Sequence, residues 1–458
     1  MRISRCWLTY ALAVSVASLA LRADESWQPL FNGHDLRGWR ILGGSAQFSV
    51  ENGGIVGTTV LNSGNTFLAT EAVYEDFILE AEVQQEGGPS NSGIQLRSEA
   101  KSGPGGSRVH GYQVEIDPSD RAWTGGIYDE ARRGWLYPVT LNPEARTAYR
   151  YGEWNRIRVE AIGPEIRTWI NGVAVADLID NLTPRGFIAL QVHGINEAAA
   201  AGRRILWRGL RIQTTGLKPS ARDAIPIRNL IPNDLSPAEQ AAGWRLLWDG
   251  RTTTGWRSAR GDHFPAGGWK IANGELTVLE SGGGEAKNGG DIVTEAEYSA
   301  FELQLEFKLT PGANSGIKYF VREEIAPIGG SAIGLEYQLL DDARHPDAKL
   351  GSPGTRTLGS LYDLIAKKDL PKGSGIRPEI GQWQYARLVV RRDGHVEHWL
   401  NGVKIVEYVR GSPEFLARVA ASKYKDIPGF GLAASGHLLL QDHGNEVRFR
   451  SIKIRSLP

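Results

Sequence analysis

Apolar and polar residues alternate with period two along much of this chain. Phe77-Ile78-Leu79-Glu80-Ala81-Glu82-Val83 does so, as does Phe301-Glu302-Leu303-Gln304-Leu305-Glu306-Phe307. Arg156-Ile157-Arg158-Val159-Glu160-Ala161 and Ala386-Arg387-Leu388-Val389-Val390-Arg391 repeat the pattern. Successive side chains of a strand point to opposite faces, so each run predicts a half-buried strand. Asn-Gly pairs at Asn52-Gly53, Asn171-Gly172, Asn273-Gly274 and Asn401-Gly402 predict tight turns between strands. The chain carries no long stretch with the 3.6-residue spacing of an amphipathic helix. Many short strands with frequent turns predict an all-β chain of jelly-roll β-sandwiches.

The pattern is written twice. Trp27 to Trp39 (WQPLFNGHDLRGW) returns as Trp244 to Trp256 (WRLLWDGRTTTGW). Asn-Ser-Gly-Ile at Asn91–Ile94 returns at Asn314–Ile317, and Gly111–Asp117 (GYQVEID) returns as Glu336–Asp342 (EYQLLDD). Thr168–Val173 returns as His398–Val403, and Leu190-Gln191-Val192-His193-Gly194 as Leu440-Gln441-Asp442-His443-Gly444. Solenoid units run about 20–50 residues, far shorter than this period, so the chain is a tandem duplication of one domain. The expected domains are residues 24–215 and 244–458. Residues 216–243 join them as a linker with Pro219, Pro226, Pro232 and Pro237. Ser236-Pro237-Ala238-Glu239 carries the cap, first-turn proline and third-position acid that open a short helix.

Composition narrows the class. The 458 residues have zero formal net charge, which argues against a global field for nucleic acid or anionic lipid. The 56 glycines and 14 tryptophans suit a turn-rich β protein. Residues 1–23 read as a cleavable secretory signal, with Arg2 and Arg5 ahead of the apolar run Trp7–Leu21 and cleavage at Ser18-Leu19-Ala20 or after Ala23; a membrane anchor is the competing reading. Cleavage predicts a periplasmic or secreted protein. The one cysteine, Cys6, falls in this leader, so disulfides, thiol nucleophiles and cysteine-bound zinc are excluded from the mature chain.

Strand alternation sorts the chemistry-bearing residues. Gln113, Glu115 and Asp117 share a face opposite Tyr112, Val114 and Ile116; Gln95 and Arg97 share one opposite Ile94 and Leu96; Gln191 and His193 share another. If the three rows line one sheet, they make a cleft suited to acid–base chemistry. The second copy offers Glu336 and Gln338, Gln441 and His443, and Lys318 in place of Gln95. Glu397 and His398 adjoin Trp399, and Asp341 and His345 lie in a polar loop able to offer a divalent cation oxygens and one imidazole. A solvated antiparallel face shows such alternation without any function. The matched pair His193 and His443 stands out because it recurs in both copies. No phosphate-binding loop, His-Glu-x-x-His or Gly-x-Ser-x-Gly is present.

These motifs together resemble the 3-keto-disaccharide hydrolase domain family, once per copy. In the first copy the resemblance rests on Leu30-Phe31-Asn32-Gly33, Asn65-Thr66-Phe67-Leu68, Asn91–Gln95, Gly111-Tyr112-Gln113, Thr124–Glu130 and Leu190-Gln191-x-His193. In the second it rests on Glu336-Tyr337-Gln338-x-x-Asp341-Asp342, His345–Ala348, Leu361-Tyr362-Asp363, Glu397–Gly402 and Leu440–Gly444. The resemblance implies two concanavalin A-like jelly rolls, export from a bacterium, and action on glycosides oxidised at C3 of a glucosyl unit. A separate sugar 3-oxidoreductase would supply that substrate. A C3 ketone acidifies the C2 proton, so a base removes it, the C1–O bond breaks, and an acid protonates the leaving group. Water addition makes the outcome hydrolysis; its absence makes the enzyme a lyase.

On this reading Glu336 and His443 are acid and base in either order. Lys318, or a divalent cation near Asp341 and His345, stabilises the enolate. Gln338, Gln441, Glu397 and His398 are expected to bind substrate. In the first copy His193, Glu115, Asp117, Arg97, Gln113 and Gln191 take comparable parts. Motif alignment sets Gly111 against Glu336 and Leu340 against Glu115, so the second copy has the richer set. The competing reading is a secreted glycan-binding protein without turnover, because the same fold serves lectins. A laminarinase-type glucanase is disfavoured: Glu115-Ile116-Asp117 is followed by Pro118-Ser119, not by a second carboxylate.

Overall fold

The computed structural model describes residues 26–103, 106–325 and 330–458. The expected leader, 1–23, lies outside the described residues. Each half is a β-sandwich, so the chain is all-β with two sandwiches in tandem. Among the described residues, the first pairs a nine-stranded sheet with a seven-stranded one, and the second an eight-stranded with a five-stranded one. The alternating runs lie where the pattern puts them: Phe77–Glu86 pairs with Asn155–Ile162, and Phe301–Leu309 with Gln384–Val390. Their apolar faces, such as Leu79 and Val159 or Leu303 and Leu388, meet in the core.

Six strands of the two smaller sheets carry the chemistry. In the first domain they are β1 (Ser92–Gly103), β2 (Gly106–Ile116) and β3 (Phe187–Val192). In the second they are β4 (Asn314–Val321), β5 (Leu335–Leu340) and β6 (Gly436–Leu440). The order is β2-β1-β3 in one and β5-β4-β6 in the other, so the duplication extends to the topology.

The outer faces of the two larger sheets are laced with Arg–Glu pairs. Glu80 accepts from Arg158 at 2.8 Å and Arg211 at 2.9 Å; Glu302 accepts from Arg455 at 2.9 Å. The proline-rich segment does not span open solvent. It is docked on these faces. Ser220 donates to Glu160, Arg228–Asn229 pairs in parallel with Val173–Ile179, and Arg228 lies 3.6 Å from the Tyr385 ring centroid. The helix α1 (Pro237–Ala241) follows, with Ser236 and Glu239 forming a reciprocal capping box. Glu239 is fully buried and also accepts from Asn229 at 2.7 Å and from Lys453.

The domains touch through the Asn401-Gly402 turn. Gly402 has φ +81°, and a Cβ there would lie 2.7 Å from Pro138 of the first domain. Thr140 Oγ1 donates to Gly402 O at 2.7 Å, and Trp135 Nε1 to Ser374 O at 2.7 Å. Breaking a buried ion pair from one side strands the other charge. Lys453→Met is therefore expected to destabilise the second domain by about 3 kcal/mol in urea unfolding, and Lys453→Met with Glu239→Gln by distinctly less.

Candidate active site

The Asn-Ser-Gly-Ile strand organises both sites, and its glycine is the reason. In β4–β5, Lys318 faces Glu336 and Gly316 faces Gln338; in β1–β2, Gln95 faces Gln113 and Gly93 faces Glu115. A Cβ on Gly316 would lie 2.3 Å from Glu336 Oε1, and one on Gly93 would lie 2.5 Å from Gln113 Cδ. The missing side chain lets the partner lean across the sheet and become buried.

Cross-strand pairing corrects the motif alignment. The counterpart of Glu336 is Gln113, not Gly111, and that of Glu115 is Gln338, not Leu340. The carboxylate and the amide have exchanged places between copies.

In the second domain, Glu336 and Lys318 are both buried on the sheet face turned away from the core, 3.9 Å apart. Lys318 Nζ also donates to Ser331 Oγ and, at 3.1 Å, to Ala332 O, and lies 3.9 Å from Glu285. Ser331 is held in turn by Asp291. Burial pushes the Glu336 carboxyl up to about 7, against the pull of the Lys318 and Lys423 charges. Gln441 donates to Glu285 at 2.8 Å. Asn314 Oδ1, Gln441 Oε1 and His443 Nδ1 are buried without a hydrogen-bond partner among the described residues. Such groups are costly unless a ligand or water meets them. They line a cavity of about 40 Å³, room for a few waters.

Loops complete the cavity with groups that comparing the two copies passed over. Asp442 accepts from Gly289 at 3.0 Å and Gly290 at 2.9 Å, and Gly284 donates to His443 O, which brings Glu285 over the sheet. The 359–362 segment runs beside β5, with Gly359 donating to Gln338 O and Tyr362 to Glu336 O, and delivers the Tyr362 ring. Lys423 N donates to Asp363 at 3.0 Å, and its ammonium lies 4.4 Å from the Tyr362 ring centroid. Tyr362 belongs to the Leu361-Tyr362-Asp363 motif of the sequence. Lys423 and Glu285 have no partner in the first copy, so the internal repeat was blind to them.

In the first domain the chemistry differs. Glu115 is buried and accepts from Asn91 at 2.5 Å and Gln113 at 2.9 Å, with Arg121 at 3.3 Å. Burial holds its carboxyl above the ordinary value despite those donors. Gln95 donates to Gln113 at 2.6 Å, an amide pair where the second domain has an ion pair. Among the described residues, Gln191 is buried with both amide atoms unpartnered, while His193 is exposed and its Nδ1 lies 2.8 Å from Gly194 O. Glu130, missed in the sequence, accepts from Asn65 at 3.3 Å, and burial raises its carboxyl too. Asp117 anchors the following turn through Ser119 and Arg121.

Several expected members are elsewhere. Arg97 does not share the face of Gln95. It has φ +45° at a bulge, which turns it toward Glu75 O, Asp76 and Gly163 O at the end of the sandwich. Phe320, six residues into the second Asn-Ser-Gly-Ile strand as Arg97 is into the first, repeats the bulge with φ +54°. His398 is in the core: Nδ1 donates to Gly359 O at 3.0 Å, leaving Nε2 to accept from Tyr319 at 2.9 Å. Burial pushes it down to about 4. Glu397 is on the outer face of the larger sheet, across the sandwich from Glu336, and accepts from Trp399 at 2.7 Å.

At the cation site expected on Asp341 and His345, both Asp341 oxygens and His345 Nδ1 have partners within the chain. Asp341 accepts from Gly312 at 2.8 Å and Arg344 at 2.9 Å, and His345 Nδ1 from Asp347 N at 3.2 Å. The His345 ring instead packs edge-on against His443, centroids 5.7 Å apart. Among the described residues, His395, Glu397 and Glu407 bring ligand atoms within 4.8 Å of one another. Lys404 already lies 2.8 Å from Glu407 there.

The fold binds the Glu336 proton more tightly than the unfolded chain does. That contribution is complete below about pH 4.5 and lost as pH rises through about 7. Glu336→Gln is expected to match the native protein near pH 4 and to exceed it near pH 8 by up to about 3 kcal/mol, measured by urea unfolding at both values.

The model of a 3-keto-alpha-glucoside-1,2-lyase-like domain matches residues 26–213 and again 243–455. Over 239 residues, 47% of this chain and 79% of the relative, the sequence is 35% identical to a 3-keto-disaccharide hydrolase of Bacteroides thetaiotaomicron. A solved structure of a proposed glycosyl hydrolase from Parabacteroides distasonis is 30% identical over 50% of this chain and 100% of its own, with TM-score 0.43. A second one from that organism is 24% identical over 47% and 99%, with TM-score 0.35.

Proposed function

We propose, for a chain that belongs in both halves to the 3-keto-alpha-glucoside-1,2-lyase-like family, a carbohydrate-active enzyme that cleaves glycosides oxidised at C3, with catalysis in the second domain. The observation that carries this reading is the buried Glu336, poised near neutrality beside Lys318.

Glu336 removes the C2 proton that the C3 ketone has acidified. Lys318, held rigid by Ser331 and Ala332, offers a fixed positive charge to the oxygen that gains electron density. His443, at the rim, protonates the departing aglycone oxygen as the C1–O bond breaks. Water then adds to the unsaturated sugar, or that sugar leaves unchanged. An exported protein fed by a separate sugar 3-oxidoreductase is part of the same proposal. The first domain lacks the ion pair and keeps the unpartnered Gln191, which suits glycan binding without turnover.

3-Keto-trehalose should be cleaved and trehalose left intact, with products identified by mass. kcat/KM should break near pH 7, and Glu336→Gln should remove the break and cost about 100-fold or more in rate. Saturable glycan binding without turnover of either sugar would favour the lectin-like reading.

A further inference from the structure

Two lysines line the Glu336 cavity, and their surroundings differ. Lys318 is buried, with its ammonium bound to Ser331 and Ala332 and shared between two carboxylates. Lys423 reaches in from the rim. The residue is exposed overall, and its Nζ lies 4.4 Å from the Tyr362 centroid and 5.1 Å from that of Tyr424. Among the described residues its Nζ makes no hydrogen bond and no ion pair, although Glu336 and Glu285 line the same cavity. Its backbone is tied to Asp363, and Tyr424 is buried and stacked on Phe430 at 4.0 Å, so the amine is presented from a fixed base.

Desolvation lowers the Lys423 amine below its ordinary value, and Lys318 adds to the effect, while Glu336 opposes it. An amine that makes no hydrogen bond, beside a buried carboxyl able to take its proton, is a nucleophile for carbonyl carbon once that proton has moved. Resting on the ketone-substrate reading above, we infer that Lys423 attacks C3 of the sugar and forms an iminium, which takes the place of the C3 oxygen as the electron sink for C2 deprotonation and leaves Lys318 to polarise the ketone during the attack.

The balance closes without an outside reagent. The neutral amine adds to C3, and a proton moves from nitrogen to the former carbonyl oxygen. Protonated Glu336 gives its proton to that hydroxyl, which leaves as water, and the iminium remains. Glu336, now a carboxylate, takes the C2 proton. The C2–H electron pair flows into the iminium and gives an enamine; the nitrogen lone pair then re-forms the iminium as the C1–C2 double bond forms and the C1–O bond breaks, and His443 protonates the leaving oxygen. One water then hydrolyses the iminium, restores the C3 ketone and frees Lys423 as the neutral amine, and the proton released returns to His443. The water released on entry is recovered on exit, so the step itself is an elimination.

The test is sodium cyanoborohydride trapping of the full-length protein during turnover of 3-keto-trehalose, with peptide mass mapping. An adduct confined to the peptide bearing Lys423 is expected. Lys423→Arg keeps the charge but not the nucleophile, so it should lose the adduct and about 100-fold in kcat while keeping its thermal unfolding profile. Native protein that turns over without an adduct, an adduct on Lys318 or spread over surface lysines, or Lys423→Arg with native turnover would each overturn the iminium and leave the keto-glycoside reading standing. Absence of turnover by the native protein would sink both.

Discussion

The site depends on a gap. A strand that carries glycine at the third position of Asn-Ser-Gly-Ile leaves no Cβ between neighbouring rows of side chains. Glu336 in one domain and Gln113 in the other fold across that gap and leave water. A carboxyl so placed on the sheet face away from the core is desolvated without being part of the core. Burial then raises its proton affinity, and the charges of Lys318 and Lys423 pull it back. A methyl group at Gly316 would occupy the space the carboxyl needs, so chemistry and backbone cannot be varied separately there.

Duplication then allowed two outcomes on one scaffold. The strand order, the bulge at Arg97 and Phe320, and the histidine after β3 or β6 are held in common. The acid is not. Moving it from the Gln113 position to the Glu115 position takes it from the side of Gln95 to that of Asn91 and Arg121. It becomes a carboxylate surrounded by donors, where Glu336 is one facing ammonium groups. The first arrangement suits holding hydroxyls in place, and the second suits moving a proton.

The loops of the second domain supply what a duplicated sheet cannot. Glu285, Tyr362 and Lys423 come from three separate segments, each fastened by backbone hydrogen bonds to a buried anchor: Asp442, β5 and Asp363. His398 belongs to this support. It holds Gly359 from within the core, and the 359–362 segment carries Tyr362. Rigid presentation matters because charge on a mobile loop would be screened by water before it could act on a bound sugar.

Local pattern alone determined a good deal: two copies of an all-β domain, the strands, and the outward face of Glu336, Gln338, Glu115 and Gln113, because period-two alternation is a property of neighbouring residues. It even held the answer for His398, which alternates with Val396 and Leu400 and so shares their apolar side. It misplaced Arg97 because one left-handed residue reverses the faces beyond it, and nothing in Leu96-Arg97-Ser98 announces a bulge. Only the tertiary structure decided that Gln113 is the counterpart of Glu336. Register is chosen by the partner strand and by which side chains fit over Gly93 and Gly316, and the matching tyrosines Tyr112 and Tyr337 mislead by two residues. Tertiary structure alone also brought Lys423 to the cavity, since a segment's distance from Glu336 in space is set by what it packs against, not by its place along the chain.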